Sequence, residues 1–142
     1  MNREDIYHVN QDLFTGTVHA VKNENGIIWV GTDIGMNVLV RPSMYDSYHK
    51  IEILNNRQKY ITATIVGNIC ESGDILGKDR KILEPEIGDV VKVYNSGAYG
   101  YSMSTNYTGR QRPAEVMINK NGEDILIRRR ETIDDVVKSN IF

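Results

Sequence analysis

The chain has 142 residues, 40% of them hydrophobic and 25% charged, proportions ordinary for one soluble globular domain. A formal net charge of −2 gives no electrostatic reason to expect nucleic acid or an anionic membrane as partner. A single cysteine excludes an internal disulfide, no apolar run approaches the ~20 residues of a membrane span, and the first residues are no signal peptide, so the expectation is a cytoplasmic protein.

In chain order, most segments read as short strands. Residues 15–22 (TGTVHAVK) and 27–31 (IIWVG) flank Asn25-Gly26, the strongest short hairpin signal. Polar and aromatic groups crowd between Asp33 and Tyr45. There Pro42 is suited to opening a helical turn near Met44 and Tyr45, and Arg41, four residues before Tyr45, would share its direction. Arginine is also the side chain best shaped to clamp a carboxylate with two parallel hydrogen bonds.

Residues 59–70 (KYITATIVGNIC) set Ile61, Ala63 and Ile65 against Tyr60, Thr62 and Thr64, the period of two expected of a strand. The run ends at Cys70, where a structural thiol would keep apolar neighbours. Instead Glu71, Ser72 and Asp74 follow, residues that want water, a ligand or a partner chain. Residues 86–94 (EIGDVVKVY) turn at Gly88-Asp89 and continue as an apolar strand. A third polar crowd spans 95–107 (NSGAYGYSMSTNY), and glycines at 35, 73, 97 and 100 allow unusual backbone geometry or close approach of a ligand.

Residues 115–119 (EVMIN) and 124–129 (DILIRR) flank a second hairpin turn at 120–123, with Arg128, Arg129 and Arg130 as a solvated strand end. The tail reads as a helix. Thr132 caps it, Asp134 and Asp135 suit its positive end, and Ile133, Val136, Val137 and Ile141 form one stripe. The fold class expected is mostly β, a Greek-key-like antiparallel β-barrel or sandwich with a short C-terminal helix. His8, His19 and His49 lack ligand spacing, and no metal site is expected.

Three of these segments carry a resemblance: DIGMNVLVRPSMYDSYH at 33–49, VGNICESGDILGKDR at 66–80 and GAYGYSMSTNYTGRQRPAEV at 97–116. Together, in this order, they resemble the C-terminal domain of the alanine-racemase-fold, pyridoxal-phosphate-dependent decarboxylases, most closely the diaminopimelate decarboxylase type. The similarity runs from about residue 12 to the end, making 12–142 the decarboxylase C-terminal β domain and 1–11 a residual tail of a missing barrel domain. The resemblance implies that Cys70 is catalytic, reprotonating the substrate carbon that has lost its carboxylate. It also implies that Glu71 meets a distal ammonium group, that Arg41 and Tyr45 bind the distal carboxylate, and that Tyr99 reaches both substrate and cofactor phosphate. Such enzymes assemble the site across a dimer, so the surroundings of the CESGD segment would belong to another chain.

The family carries pyridoxal phosphate on a lysine inside a (β/α)8 barrel, which needs ~250 residues. None of the eight lysines here lies in a segment resembling that Schiff-base lysine, and the glycine-rich phosphate cup is missing too. The expectation is therefore a substrate-completing domain, inactive alone, that meets pyridoxal phosphate only with a missing or separately encoded barrel partner. A homo-oligomer and a small amino-acid substrate, meso-diaminopimelate giving L-lysine and carbon dioxide, complete the reading. Two alternatives stay open: a non-catalytic binding or assembly module, and a decarboxylase domain for another amino acid, including one linked to a carrier protein. Asn68, Asn95-Ser96, Thr108-Gly109 and Val38 depart from the family's usual residues.

Overall fold

The computed structural model describes residues 12–139, so the expected tail at 1–11, His8 and Ile141 lie outside the described residues. Six strands form one sheet: β1 (Leu13–Glu24), β2 (Ile27–Thr32), β3 (Ile51–Leu54), β4 (Tyr60–Val66), β5 (Ile75–Leu83) and β6 (Val90–Tyr94). Their spatial order is β3-β6-β1-β2-β4-β5, and the outer strands β5 and β3 pack against each other, which nearly closes the sheet into a barrel. A Cβ at Gly77 on β5 would lie 2.4 Å from Arg80 Nε and 3.2 Å from Ile51 Cδ1 on β3, so the glycine makes room for both. A second sheet is a two-stranded ribbon of β7 (Glu115–Ile118) and β8 (Asp124–Arg128). The helices are single turns: α1 (Arg41–Tyr45), α2 (Gly100–Met103) and α3 (Ile133–Val137).

Local chemistry explains the turns. Asn25 and Gly26 take φ of 52° and 82°, the mirror-image turn whose twist matches the strands on either side. Between β7 and β8 a longer turn is closed by Gly122 N donating to Asn119 O at 3.0 Å, with Gly122 alone left-handed at φ 81°. Pro42 sits in the first turn of α1, where its missing N–H costs nothing. Thr132 caps α3 in a full capping box: its hydroxyl accepts from Asp135 N, and Asp135 Oδ2 accepts from Thr132 N at 2.8 Å. The basic run before it is exposed yet paired, Arg128 with Glu115 and Arg129 with both carboxylate oxygens of Asp135.

The long strand β1 serves two neighbours. Leu13–Thr17 pairs with β6, whereas Val18–Glu24 pairs with β2 with a register shift between Val18 and Ala20, so the strand bends across the barrel wall. Val18 at that bend is fully buried, joined in the core by Val30, Leu39, Ile53, Ala63, Ile65, Leu76, Val91 and Val93. The mostly β, barrel-like class expected from the sequence is present, with one difference in strand direction. β2 and β4 pair in parallel (Val30 with Ile65), so the sheet is mixed. A parallel pair requires a long crossover, and the segment 33–59 supplies it. β4 also stops at Val66, earlier than the run to Cys70 suggested, because Gly67 N turns to bond Asp74 O across the base of a loop.

Candidate functional site

Strand direction decides where the polar segments go. β4 is parallel to β2, and β6 is antiparallel to β1, itself antiparallel to β2. Hence β2, β4 and β6 all run the same way, and their C-terminal ends lie at one end of the barrel. The three polar segments leave from those ends: 33–47 after β2, 67–74 after β4 and 95–112 after β6.

Hydrogen bonds lock them into one body. Asp74, buried to 3% exposure, accepts from Met36 N at 2.6 Å with one oxygen and from Ile69 N at 2.7 Å with the other. Ser43 donates to Gly73 O at 2.5 Å, and Thr105 N donates to Asn37 O at 2.8 Å. Arg110 donates to Asn68 O at 2.8 Å, and the Tyr107 hydroxyl donates to Glu71 Oε2 at 3.4 Å. Asp74 therefore corrects an expectation: it does not face water or a ligand but ties the 67–74 loop to the start of the 33–47 segment. Burial pushes its pKa above the ordinary carboxylate range, against the pull of the two backbone N–H groups. Asp74→Asn would set an NH2 against one of those N–H donors and leave that donor unpaired. The expected cost is about 1–2 kcal/mol in urea unfolding at neutral pH.

The glycines play a narrower part than expected. Gly35, Gly73, Gly97 and Gly100 are all absent from the positive-φ residues. Gly35 instead serves close packing, for a Cβ there would fall 2.9 Å from Asn37 Oδ1, Asn68 Oδ1 and Ile69 Cγ1. The strained backbone falls instead on non-glycine residues, Asp46, Asn95 and Thr108 and also Tyr99, which caps α2 with φ 68° and ψ −12°. A non-glycine residue held there costs on the order of 1–3 kcal/mol, a cost most often met at sites of function.

The expected residues are distributed around this end of the barrel. The Arg41 guanidinium lies 5.2 Å from the centroid of the Tyr99 ring, so segments from β2 and β6 meet there. Glu71 joins the 95–112 segment through Tyr107, and the Cys70 thiol directly before it is exposed. Tyr45 stands 60% exposed on the helix it shares with Arg41, and among the described residues no hydrogen bond or ring contact joins it to the other four. Met36, Asn37, Val40, Thr105 and Tyr107 line an open, largely apolar cleft of about 400 Å³ beside Glu71. None of the three segments contains a lysine, and among the described residues no group of three His, Cys, Asp or Glu side chains could hold a metal.

Sequence reasoning missed Ser43 and Tyr107, both inside the quoted motifs, and a larger feature: a clamp between Arg112 and Glu131. Arg112 donates to Ser104 Oγ and Asn106 Oδ1 at 2.8 Å each, to Ser104 O at 3.0 Å and to Glu131 Oε1 at 2.8 Å. Glu131 Oε2 in turn accepts from Arg112 N at 2.8 Å and from Asn106 Nδ2 at 2.6 Å. The clamp pins the end of the Tyr99 loop to the chain leaving β8.

Residues 13–97 match the family model for the pyridoxal-dependent decarboxylase C-terminal sheet domain. Diaminopimelate decarboxylase of Methanocaldococcus jannaschii is 41% identical over 126 residues, covering 89% of this chain and 28% of that protein. The Archaeoglobus fulgidus diaminopimelate decarboxylase is 44% identical over 133 residues, with 91% and 31% covered. The crystal structure of the M. jannaschii enzyme in co-complex with L-lysine superposes with a TM-score of 0.87 at 40% identity, covering 92% of this chain and 30% of that one. The chain thus spans under a third of the length of the relatives it matches. The Vibrio vulnificus lysine/ornithine decarboxylase, at 19% identity and a TM-score of 0.63, shares the fold alone.

Proposed function

The chain belongs to the C-terminal sheet-domain family of pyridoxal-dependent decarboxylases, and from that premise we propose that it forms the substrate-facing half of a decarboxylase site, with meso-diaminopimelate as substrate and L-lysine and carbon dioxide as products. One observation carries this reading. The barrel gathers three motif-bearing segments at one end and leaves the Cys70 thiol, the Glu71 carboxylate and the Tyr99 ring exposed instead of packed.

Each side chain has a task that suits its chemistry. Arg41, steadied by Tyr99, presents a planar fork that grips the substrate's distal carboxylate with two bonds, and Tyr45 on the same helix supplies a hydroxyl beside it. Glu71 pairs with the distal ammonium group, its carboxylate oriented by Tyr107. Cys70 Sγ delivers a proton to the carbon that has lost its carboxylate. One basic and one acidic anchor at the distal end fit an amino acid that carries a second carboxylate and a second ammonium group there, and L-lysine accompanies the M. jannaschii structure.

Pyridoxal phosphate, when bound, supplies the electron sink for the pair left by departing carbon dioxide. The residues here fit contact with it but not its anchorage. The exposed Tyr99 hydroxyl can bond its phosphate, whereas no lysine of the three segments can hold its aldehyde. That amine must come from the portion of the relatives that this chain does not match. The family match ends at residue 97, so the part given to Tyr99 rests on the GAYG resemblance and on its stacking with Arg41.

The test exchanges the matched portion of the M. jannaschii relative for this chain and supplies pyridoxal phosphate. Carbon dioxide should be released from meso-diaminopimelate and not from L-lysine or L-ornithine. The isolated chain should release none. A folded, cofactor-loaded chimera that ignores meso-diaminopimelate would overturn the substrate, and turnover by the isolated chain would overturn the half-site.

A further inference from the structure

The β7–β8 ribbon is a separate sheet, and its apolar side chains face water. Val116 and Leu126 pair directly and, with Ile118, share one face; Met117 pairs with Ile125 on the other, and Ile127 stands at the register shift, between Leu126 and Arg128. All six are exposed, Ile118 to 65% and Leu126 to 61%. A lone two-stranded ribbon is marginal in water, and a contiguous apolar patch rimmed by charges such as Glu115, Asp124 and Arg128 marks a contact surface.

We propose that this ribbon is the seat for the larger, remaining portion of a decarboxylase chain, and that seating it fixes the loop of Tyr99. The occupant follows from two facts. The relatives extend far beyond the stretch this chain matches, which covers only 28% and 31% of them, so a large body of their chain must lie against this domain. Both ribbon faces are apolar, whereas a two-fold pairing with a second copy would use one self-complementary patch and leave the opposite face wet.

The link to Tyr99 is direct. Arg128, the last residue of β8, is paired with Glu115 across the ribbon and lies 3.5 Å above the Tyr101 ring. Arg112, held by Glu131 just beyond the ribbon, approaches the same ring at 5.8 Å. Tyr101 belongs to α2, whose left-handed cap is Tyr99. A body that clasps the ribbon therefore bears on the strained residue through one arginine and one ring. The identity of the occupant rests on the function proposed above; the exposure of the ribbon does not.

Amide hydrogen exchange tests it without reference to activity. In the chimera, ribbon amides at 116–118 and 125–127 should exchange at least tenfold more slowly than in the isolated chain, and Tyr101→Ala should release protection at 100–103 but not at the ribbon. Equal exchange in both proteins would sink the docking, and unchanged protection at 100–103 would sink the link to Tyr99. Protection rising with concentration in the isolated chain, together with sedimentation as a dimer, would assign the ribbon to a second copy and overturn the proposal. The pair Val116→Thr and Leu126→Thr, made in the isolated chain, should leave its unfolding midpoint in place; a marked fall would mean the ribbon packs within this domain. A chimera that decarboxylates with an unprotected ribbon defeats this inference alone, and a protected but inactive chimera defeats the proposed function alone.

Discussion

Cys70→Ala lowers turnover of the assembled enzyme by roughly 10²- to 10⁴-fold, the range for losing a positioned proton donor, while the isolated chain unfolds at the same urea concentration as before. The stability half of this expectation rests on the exposure of the thiol, and the kinetic half on the role proposed for it. A side chain at the surface stabilises little, so its removal should change stability by less than about 0.5 kcal/mol. A proton donor on the reaction path acts only in the transition state, so kcat falls while KM stays close to its parent value. Glu71→Gln should do the opposite in emphasis, raising KM because it weakens a charge pair made already with bound substrate. Stopped assays of carbon dioxide release across a substrate series separate the two. Full activity in Cys70→Ala would remove the thiol from the chemistry, and a clear loss of stability would make it a packing residue.

What could be read from the sequence was mostly local. Asn25-Gly26, the turn at 120–123, Pro42 and the Thr132 cap each depend on a few neighbouring residues, and each occurs where those residues stand. β5 was not legible because Lys78, Asp79, Arg80 and Lys81 interrupt its apolar alternation and Asp79 bends the strand with a φ of 50°. β3 has only the four residues IEIL, too few for a period to emerge. The parallel pairing of β2 with β4 depends on a long crossover, and no local signal announces it.

The site divides in the same way. The motifs marked Arg41, Cys70, Glu71 and Tyr99, but not that their segments gather at one end of the barrel, which follows from the shared direction of β2, β4 and β6. Asp74 misled because a carboxylate beside a glycine normally faces solvent, and only the folded loop reveals the two N–H groups that draw it inward. Glycine content pointed to strain at the wrong positions, since the left-handed residues of these segments include Asp46, Asn95, Tyr99 and Thr108.

Arg112→Ala should cost about 2–4 kcal/mol, the largest loss of stability expected from a change near the site, because it removes four side-chain donors at once and takes the counter-charge from a half-buried carboxylate. Both side chains are only 22–23% exposed, which limits how far water replaces what is lost. Arg112→Lys should recover little, for an ammonium cannot reach Ser104, Asn106 and Glu131 together as a planar guanidinium does. Acid should act on the same clamp. Burial pulls the Glu131 pKa upward but is outweighed by Arg112 and Asn106, leaving it below the ordinary glutamate value. A carboxyl lowered on folding contributes stability above its unfolded pKa of ~4.3 and loses that contribution as pH falls through the folded value. Urea midpoints should therefore drop more steeply below about pH 4 in the parent chain than in Glu131→Gln, where this carboxylate is gone. Equal slopes would show that Glu131 is no more paired when folded than when unfolded, and the loop bearing Tyr99 would need another anchor.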